Sequence, residues 1–80
     1  MSHNIDMNNI EFILDTFCER IKEIRDEKNW TIKEFAEFVQ IPRTTINSWI
    51  LKKRIPKIDL LYKIADCFNV SIDYLVGREN

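Results

Sequence analysis

Residues 31–51 read TIKEFAEFVQIPRTTINSWIL, and this stretch decides the fold. Thr31 and Glu34 have capping-box spacing, in which the hydroxyl accepts a hydrogen bond from the Glu34 amide and the carboxylate accepts one from the Thr31 amide. A helix is therefore predicted to begin here. Pro42 lacks an amide proton and disfavours the helical conformation at Ile41, so this helix ends before it and a second one opens near it. The stretch predicts two short helices joined by a tight turn.

The second of these helices has one apolar and one polar side. At roughly 100° per residue, the polar side spans an arc of about 140°. It holds Arg43, Thr44, Asn47 and Ser48, and the opposite side holds Ile46, Trp49 and Ile50. Arginine and asparagine side chains match the edges of guanine and adenine in the major groove. The arrangement predicts a helix-turn-helix motif for DNA, although the second helix alone is equally typical of a solvated helix in a small bundle.

Charge is distributed unevenly along the chain, whose formal net charge is −1. Residues 1–37 contain nine acidic and five basic residues, and residues 59–80 contain four acidic and two basic ones. Residues 38–58 contain no acidic residue and five basic ones, namely Arg43, Lys52, Lys53, Arg54 and Lys57. Because a partner responds to the local field rather than to the total charge, this segment is predicted to contact phosphates. A solvated loop is the alternative.

Length and composition restrict the other classes of function. Eighty residues form one small domain, and 45% hydrophobic with 31% charged residues is typical of a folded soluble protein. No stretch has the length of a membrane span or the pattern of a signal peptide, so we expect a cytoplasmic protein without a membrane partner. Cys18 and Cys67 lack metal-ligand spacing, and no catalytic pair stands out. We therefore expect no enzymatic activity, metal, cofactor or small-molecule ligand.

The remaining segments predict three more helices. Residues 1–9 are polar and are predicted to form a flexible tail, so that the domain comprises residues 10–80. An apolar stripe predicts the first helix from Ile10 to about residue 28, followed by Asn29 in the left-handed conformation. A fourth helix is expected from residue 58 to about residue 69. Ser71 and Gly77 bound a short fifth helix.

The fifth helix has more apolar residues than a short helix can bury. Ile72, Leu75 and Val76 are therefore predicted to form a homodimer surface, with simple closure of the core as the alternative.

The order of these motifs resembles the phage-repressor and Cro-like helix-turn-helix family, of the xenobiotic-response-element type, over residues 17–77. The matching segments are RIKEIR at 20–25, the helix start at 31–36, TTI at 44–46 with Trp49, RIP at 54–56 and LYKIADCFNVSIDYLVG at 61–77. The resemblance implies an all-α, five-helix, lambda-repressor-like DNA-binding domain with the helix-turn-helix at helices 2 and 3. It also implies a dimeric transcriptional repressor that binds an inverted-repeat operator in double-stranded DNA.

Carried over by position, the resemblance assigns functional residues. Base recognition falls to Arg43, Thr44, Asn47 and Ser48. Contacts with the DNA backbone fall to Thr31, Lys33, Thr45, Lys52, Lys53 and Arg54. The chain departs from the family at four positions, where Ile32 replaces a glutamine, Gln40 and Lys52 replace glycines, and Ile50 replaces a glutamate that pairs with Arg25. We expect a strained or rerouted turn at Gln40 and an Arg25 that needs another partner.

Two other hypotheses share the same fold. One is a protein-interaction module that does not bind DNA, which Ile32 and the acidic total charge favour. The other is an antitoxin or a controller of a restriction system, which would still bind DNA.

Overall fold

The computed structural model describes the backbone of residues 7–78 and the side chains of residues 10–78. In this part of the chain there are five helices and no strand. The helices are α1 (Met7–Lys28), α2 (Ile32–Val39), α3 (Arg43–Ile50), α4 (Ile58–Phe68) and α5 (Ile72–Leu75). The predicted all-α, five-helix architecture is confirmed.

Helix α1 begins earlier than predicted. It starts at Met7 rather than at Ile10, so residues 7–9 of the predicted tail are helical. No proline or glycine precedes Ile10 to stop the helix, and the apolar stripe that was used to place its start marks only the buried face. Residues 1–6 of the predicted tail lie outside the described residues.

The core holds α3 against α1. Ile46 and Trp49 are the buried residues of α3, and Trp49 is only 1% exposed. The Trp49 ring meets the ring of Phe17 in α1 edge-on, with 5.4 Å between centroids and 67° between planes. The Cys18 thiol donates a hydrogen bond of 3.3 Å to the Trp49 carbonyl. These contacts fix which side of α3 faces outward.

A cluster of aromatic rings joins α2 to α4. Phe68 stacks on Phe35 at 5.6 Å and on Phe38 at 5.4 Å between centroids. Trp30, just before α2, lies 4.9 Å from Phe38 and 6.2 Å from Phe68. Such pairs stabilise the packing beyond the area that they bury. The first helix of the motif, α2, therefore packs on α4, and the second, α3, packs on α1.

Helix α5 closes the core, and this corrects one prediction. Leu75 is 0% exposed and belongs to the core, whereas Ile72 and Val76 are half-buried. Leu75 therefore cannot belong to a dimer surface while the domain keeps this fold. Gly77 has a φ of 89°, and a Cβ atom there would lie 2.9 Å from Cγ2 of Thr16 in α1. The glycine lets the chain leave α5 against α1.

Several helices end on a residue in the left-handed conformation. Asn29 and Asn69 do so with φ of 58° and 54°, as the sequence predicts for Asn29. Gln40, in the turn of the motif, has φ 59° and ψ 44°. The turn keeps the path that a glycine would take, and the strain expected at Gln40 is present. Lys63 of α4 donates a hydrogen bond of 3.0 Å to the Gln40 carbonyl and supports this turn.

Replacing Gln40 by glycine is expected to stabilise the domain. The left-handed conformation is unfavourable for a residue with a Cβ atom, and glycine adopts it freely. We expect Gln40→Gly to raise the free energy of unfolding by about 0.5–1 kcal/mol, measured by urea denaturation. Gln40→Ala is the control, because alanine keeps the strain and gives no gain. Equal stability of the glycine and alanine variants would contradict strain at this position.

Candidate nucleic-acid interface

The start of α2 has the predicted capping box. The Thr31 hydroxyl accepts a hydrogen bond of 3.1 Å from the Glu34 amide, and the Glu34 carboxylate accepts one of 2.8 Å from the Thr31 amide. The Thr31 hydroxyl keeps its own proton as a donor for a phosphate oxygen. Lys33, in the first turn of α2, is exposed. Thr31 and Lys33 are thus accessible on the surface at the start of the motif.

Helix α3 presents its polar side to solvent. Arg43 and Thr44 are exposed, and Asn47 and Ser48 are half-buried. Pro42 precedes the helix and provides no side-chain cap. No side chain among the described residues caps the first amides of α3, and uncapped amides at a helix N-terminus are available to anions such as phosphate.

The side chain of Ser48 is hydrogen-bonded to the backbone of Thr45. The Ser48 hydroxyl donates a hydrogen bond of 2.5 Å to the Thr45 carbonyl one turn earlier. The Ser48 oxygen remains an acceptor, but its proton is committed to the helix backbone. Of the four residues predicted to recognise bases, Arg43, Thr44 and Asn47 make no side-chain hydrogen bond within the described part of the chain, and Ser48 contributes an acceptor.

A groove of about 1130 Å³ runs between the first half of α1, the side of α3 and the segment that follows it. Six of the predicted site residues line it, namely Thr44, Thr45, Ser48, Lys52, Lys53 and Arg54. Arg43, Asn47, Thr31 and Lys33 lie outside its lining. The groove thus collects most of the predicted backbone-contacting residues, and Arg43 and Asn47 are placed beside it on α3.

Four charged residues of the groove were not among the predicted site residues. Lys57 adds to its positive side, and Glu11, Asp15 and Asp59 bring negative charge into it. The sequence already places Lys57 in the basic segment that is predicted to contact phosphates, although the resemblance assigns it no role by position. Nothing in the local pattern places Glu11 and Asp15 near that run, because they approach it only through the packing of α1 on α3.

The three acidic residues Glu11, Asp15 and Asp59 form the acidic wall of the groove. Lys52 is the basic residue that forms an ion pair with this wall. Its ammonium lies 3.2 Å from the Asp15 carboxylate, on a backbone with φ 61°. Burial lowers the pKa of Lys52, but hydrogen bonding and Coulombic attraction from Asp15 and Cys18 together raise it by more, so the pKa of Lys52 lies above its usual value. Lys52 is therefore charged at neutral pH, and a phosphate at this position would have to compete with Asp15.

Comparison with known proteins assigns the family. The helix-turn-helix family model matches residues 21–75, which include α2 to α5 and the second part of α1. The chain belongs to this helix-turn-helix family. The predicted family is thereby confirmed.

Several curated proteins are similar to the chain. The HTH-type transcriptional regulator ImmR of Bacillus subtilis is 36% identical over 76% of this chain and 48% of that protein. The HTH-type transcriptional activator BcrR of Enterococcus faecalis is 35% identical over 79% of this chain and 31% of that protein. An HTH-type transcriptional regulator of Archaeoglobus fulgidus is 43% identical over 68% of this chain and 76% of that protein. These relatives are named as regulators rather than enzymes.

The chain spans about half the length of ImmR and 31% of the length of BcrR. No solved structure matches it significantly. Among the described residues, no helix combines the length and the apolar character needed to cross a membrane.

Removing the Asp15 carboxylate is expected to strengthen DNA binding. Asp15→Asn frees the Lys52 ammonium and removes a negative charge from the groove. Since the pair is exposed, we expect affinity to rise only about two- to fivefold. The slope of log affinity against log salt should steepen by up to about 0.9, one phosphate contact. Fluorescence anisotropy at several salt concentrations measures both.

Asp26→Asn is the matched control for this prediction. It removes the same charge from an exposed pair with Lys22 of α1, at 3.0 Å, outside the groove lining. Equal effects of the two substitutions would mean that only the net charge of the domain matters.

Proposed function

We propose that the chain is a cytoplasmic, dimeric transcriptional repressor that binds an inverted-repeat operator in double-stranded DNA. The observation that carries this function is the polar side of α3, which faces solvent and lies within residues 38–58, a segment with five basic residues and no acidic one. The similarity to proteins named as transcriptional regulators supports it. Repression requires only that the operator be occupied, whereas activation requires a further surface for the transcription machinery.

In this proposal α3 enters the major groove with its N-terminal end first. Arg43, the first residue of α3, donates two hydrogen bonds to O6 and N7 of a guanine. Asn47, one turn later, pairs with N6 and N7 of an adenine. Thr44 and Ser48 lie beside them and reach a thymine methyl group or a phosphate. Thr31, Lys33, Thr45 and the Lys52–Arg54 segment hold the flanking phosphates.

Replacing Arg43 tests base recognition and DNA binding together. An operator is first selected from random duplexes, and the affinity for it and for its single-base variants is then measured at two salt concentrations. We expect Arg43→Ala to cost about 1–3 kcal/mol on the operator and to relax the preference at one base pair per half-site. The cost falls on one base pair because a guanine loses its bidentate partner.

Lys33→Ala is the control for a phosphate contact. It should weaken binding to every sequence alike and make the salt slope shallower by about one. An Arg43→Ala variant with an unchanged base preference would remove Arg43 from base recognition. If the unmodified chain binds no duplex at low salt, the protein-interaction module replaces the DNA-binding proposal.

The outer face of α4 supports the proposed dimer. Ile58 and Tyr62 lie one helical turn apart and are 70% and 65% exposed, so they place two large apolar side chains side by side on the same face of α4. A shallow groove of about 380 Å³ continues from Tyr62 across Val70 to Ile72 of α5. We therefore place the dimer surface on Ile58, Tyr62 and Ile72, and keep Leu75 in the core. A second copy on this face gives the two-fold symmetry of an inverted repeat.

Charged substitutions separate the interface from the core. We expect Ile58→Glu and Tyr62→Glu to give folded monomers, because these side chains lose contacts only in the dimer. Leu75→Ala should lower the free energy of unfolding by about 2–5 kcal/mol, because it leaves a cavity in the core. Sedimentation velocity reports the oligomeric state, and thermal denaturation reports the stability of the fold.

Phe12→Glu is the matched control for the dimer. Phe12 is 64% exposed on α1, outside the proposed surface, so this variant should still dimerise. The active dimer should bind half-sites about 34–36 Å apart. A wild-type chain that remains monomeric on a single, unrepeated site would contradict the dimer.

A further inference from the structure

Arg25 lies in the last turn of α1 and is half-buried. Its Nη1 donates a long hydrogen bond of 3.5 Å to the Trp30 carbonyl. Its Nε is buried and has no hydrogen-bond partner among the described residues. A buried donor without an acceptor is unfavourable, and almost all such groups in folded proteins have a partner in the protein, in water or in a ligand.

Arg25 lines a pocket of about 300 Å³ between α1, the start of α2 and the end of α3. Ile21, Ile32 and Ile50 give this pocket apolar walls. The other two basic residues of its lining are already paired, since Lys22 lies 3.0 Å from Asp26 and Lys52 lies 3.2 Å from Asp15. Among the described residues, Arg25 is therefore the basic group of the pocket without a carboxylate partner.

We propose that this pocket binds a small organic monocarboxylate with a short aliphatic tail. The carboxylate supplies one oxygen to an Nη group of Arg25 and the other to Nε, once the guanidinium turns towards the pocket. This is the two-pronged geometry in which guanidinium groups bind carboxylates. The tail lies against the three isoleucine side chains.

The rest of the lining restricts the ligand further. Asp15 and Glu19 also line the pocket, so a phosphate or another multiply charged anion meets repulsion that a monocarboxylate meets less. The pocket lies at the small end of the range of ligand sites in proteins, which suits a tail of a few carbons. A purely apolar ligand would leave Arg25 without an acceptor.

The site is connected to the proposed DNA interface by Lys52. This residue lines both the pocket and the groove beside α3. A carboxylate held by Arg25 adds negative charge to the pocket that Lys52 shares with the groove, and this charge opposes a phosphate at Lys52. We infer that the ligand weakens DNA binding and acts as an effector. This step, unlike the pocket itself, rests on the proposed function.

Hexanoate is the probe for the site, and nuclear magnetic resonance follows the Arg25 Nε–H group and the isoleucine methyl groups. We expect saturable shifts of these signals with a dissociation constant of about 1 mM, which is ordinary for a ligand of eight heavy atoms. Hexanol, with the same number of carbon atoms and no charge, should bind at least about tenfold more weakly. Equal shifts with hexanol, or no shift of the Arg25 signal with hexanoate, would overturn the site.

Two variants test the residues involved. Arg25→Met keeps the length of the side chain and removes the charge, so hexanoate should lose its advantage over hexanol. Ile50→Glu places a carboxylate in the same pocket, so it should bind Arg25 internally, exclude hexanoate and raise the melting temperature. Circular dichroism verifies that each variant is folded. Binding of hexanoate to a folded Ile50→Glu variant with unchanged affinity would contradict the proposed position.

The effect on DNA is measured separately. Saturating hexanoate should weaken operator binding by wild type about fivefold or more, and should leave the Ile50→Glu variant unaffected. Hexanol at the same concentration controls for solvent effects. Hexanoate shifts without any change in operator affinity would overturn the effector step, and this result is distinct from a chain that binds no DNA at all.

Discussion

The burial of Trp49 is the interaction on which the rest of the structure depends. Helix α3 has eight residues, and isolated helices of that length are unstable in water. It persists because Trp49 and Ile46 are inserted into the core, with the Trp49 ring against Phe17 of α1. Once these two side chains point inward, the 3.6-residue period of the helix directs Arg43, Thr44 and Asn47 outward. The same contact that stabilises the helix therefore sets which side of α3 faces solvent.

Features that depend on neighbouring residues could be predicted from the sequence. The Thr31–Glu34 capping box, the left-handed Asn29, the Ser71 cap and the glycine after α5 are all formed within one or two helical turns. Their geometry follows from a few adjacent side chains and from the backbone itself. The polar side of α3 belongs to the same class, since the helical period alone places Arg43 and Asn47 together.

Features that depend on distant segments could not be predicted in this way. Three such features bring together segments that are far apart in the chain. They are the burial of Leu75, the ion pair of Asp15 with Lys52, and the hydrogen bond from Lys63 to the Gln40 carbonyl. A short amphipathic helix shows which residues are apolar, but not which of them the neighbouring helices cover. The acidic wall of the groove escaped prediction for this reason, and so did the exposed pair of apolar residues on α4.

The position of Asp15 has a consequence for how such a domain can diverge. Asp15 and Glu11 precede residue 21, where the match to the shared family begins, yet they line the groove beside α3. In the proposed complex, the acidic residues that oppose phosphate thus lie in a different segment of the chain from the residues proposed to choose the base. On this proposal, substitutions in the first half of α1 would alter how often a site is occupied and leave the preferred sequence unchanged. Two related domains with identical α3 helices can therefore differ in regulatory output through residues that touch no base.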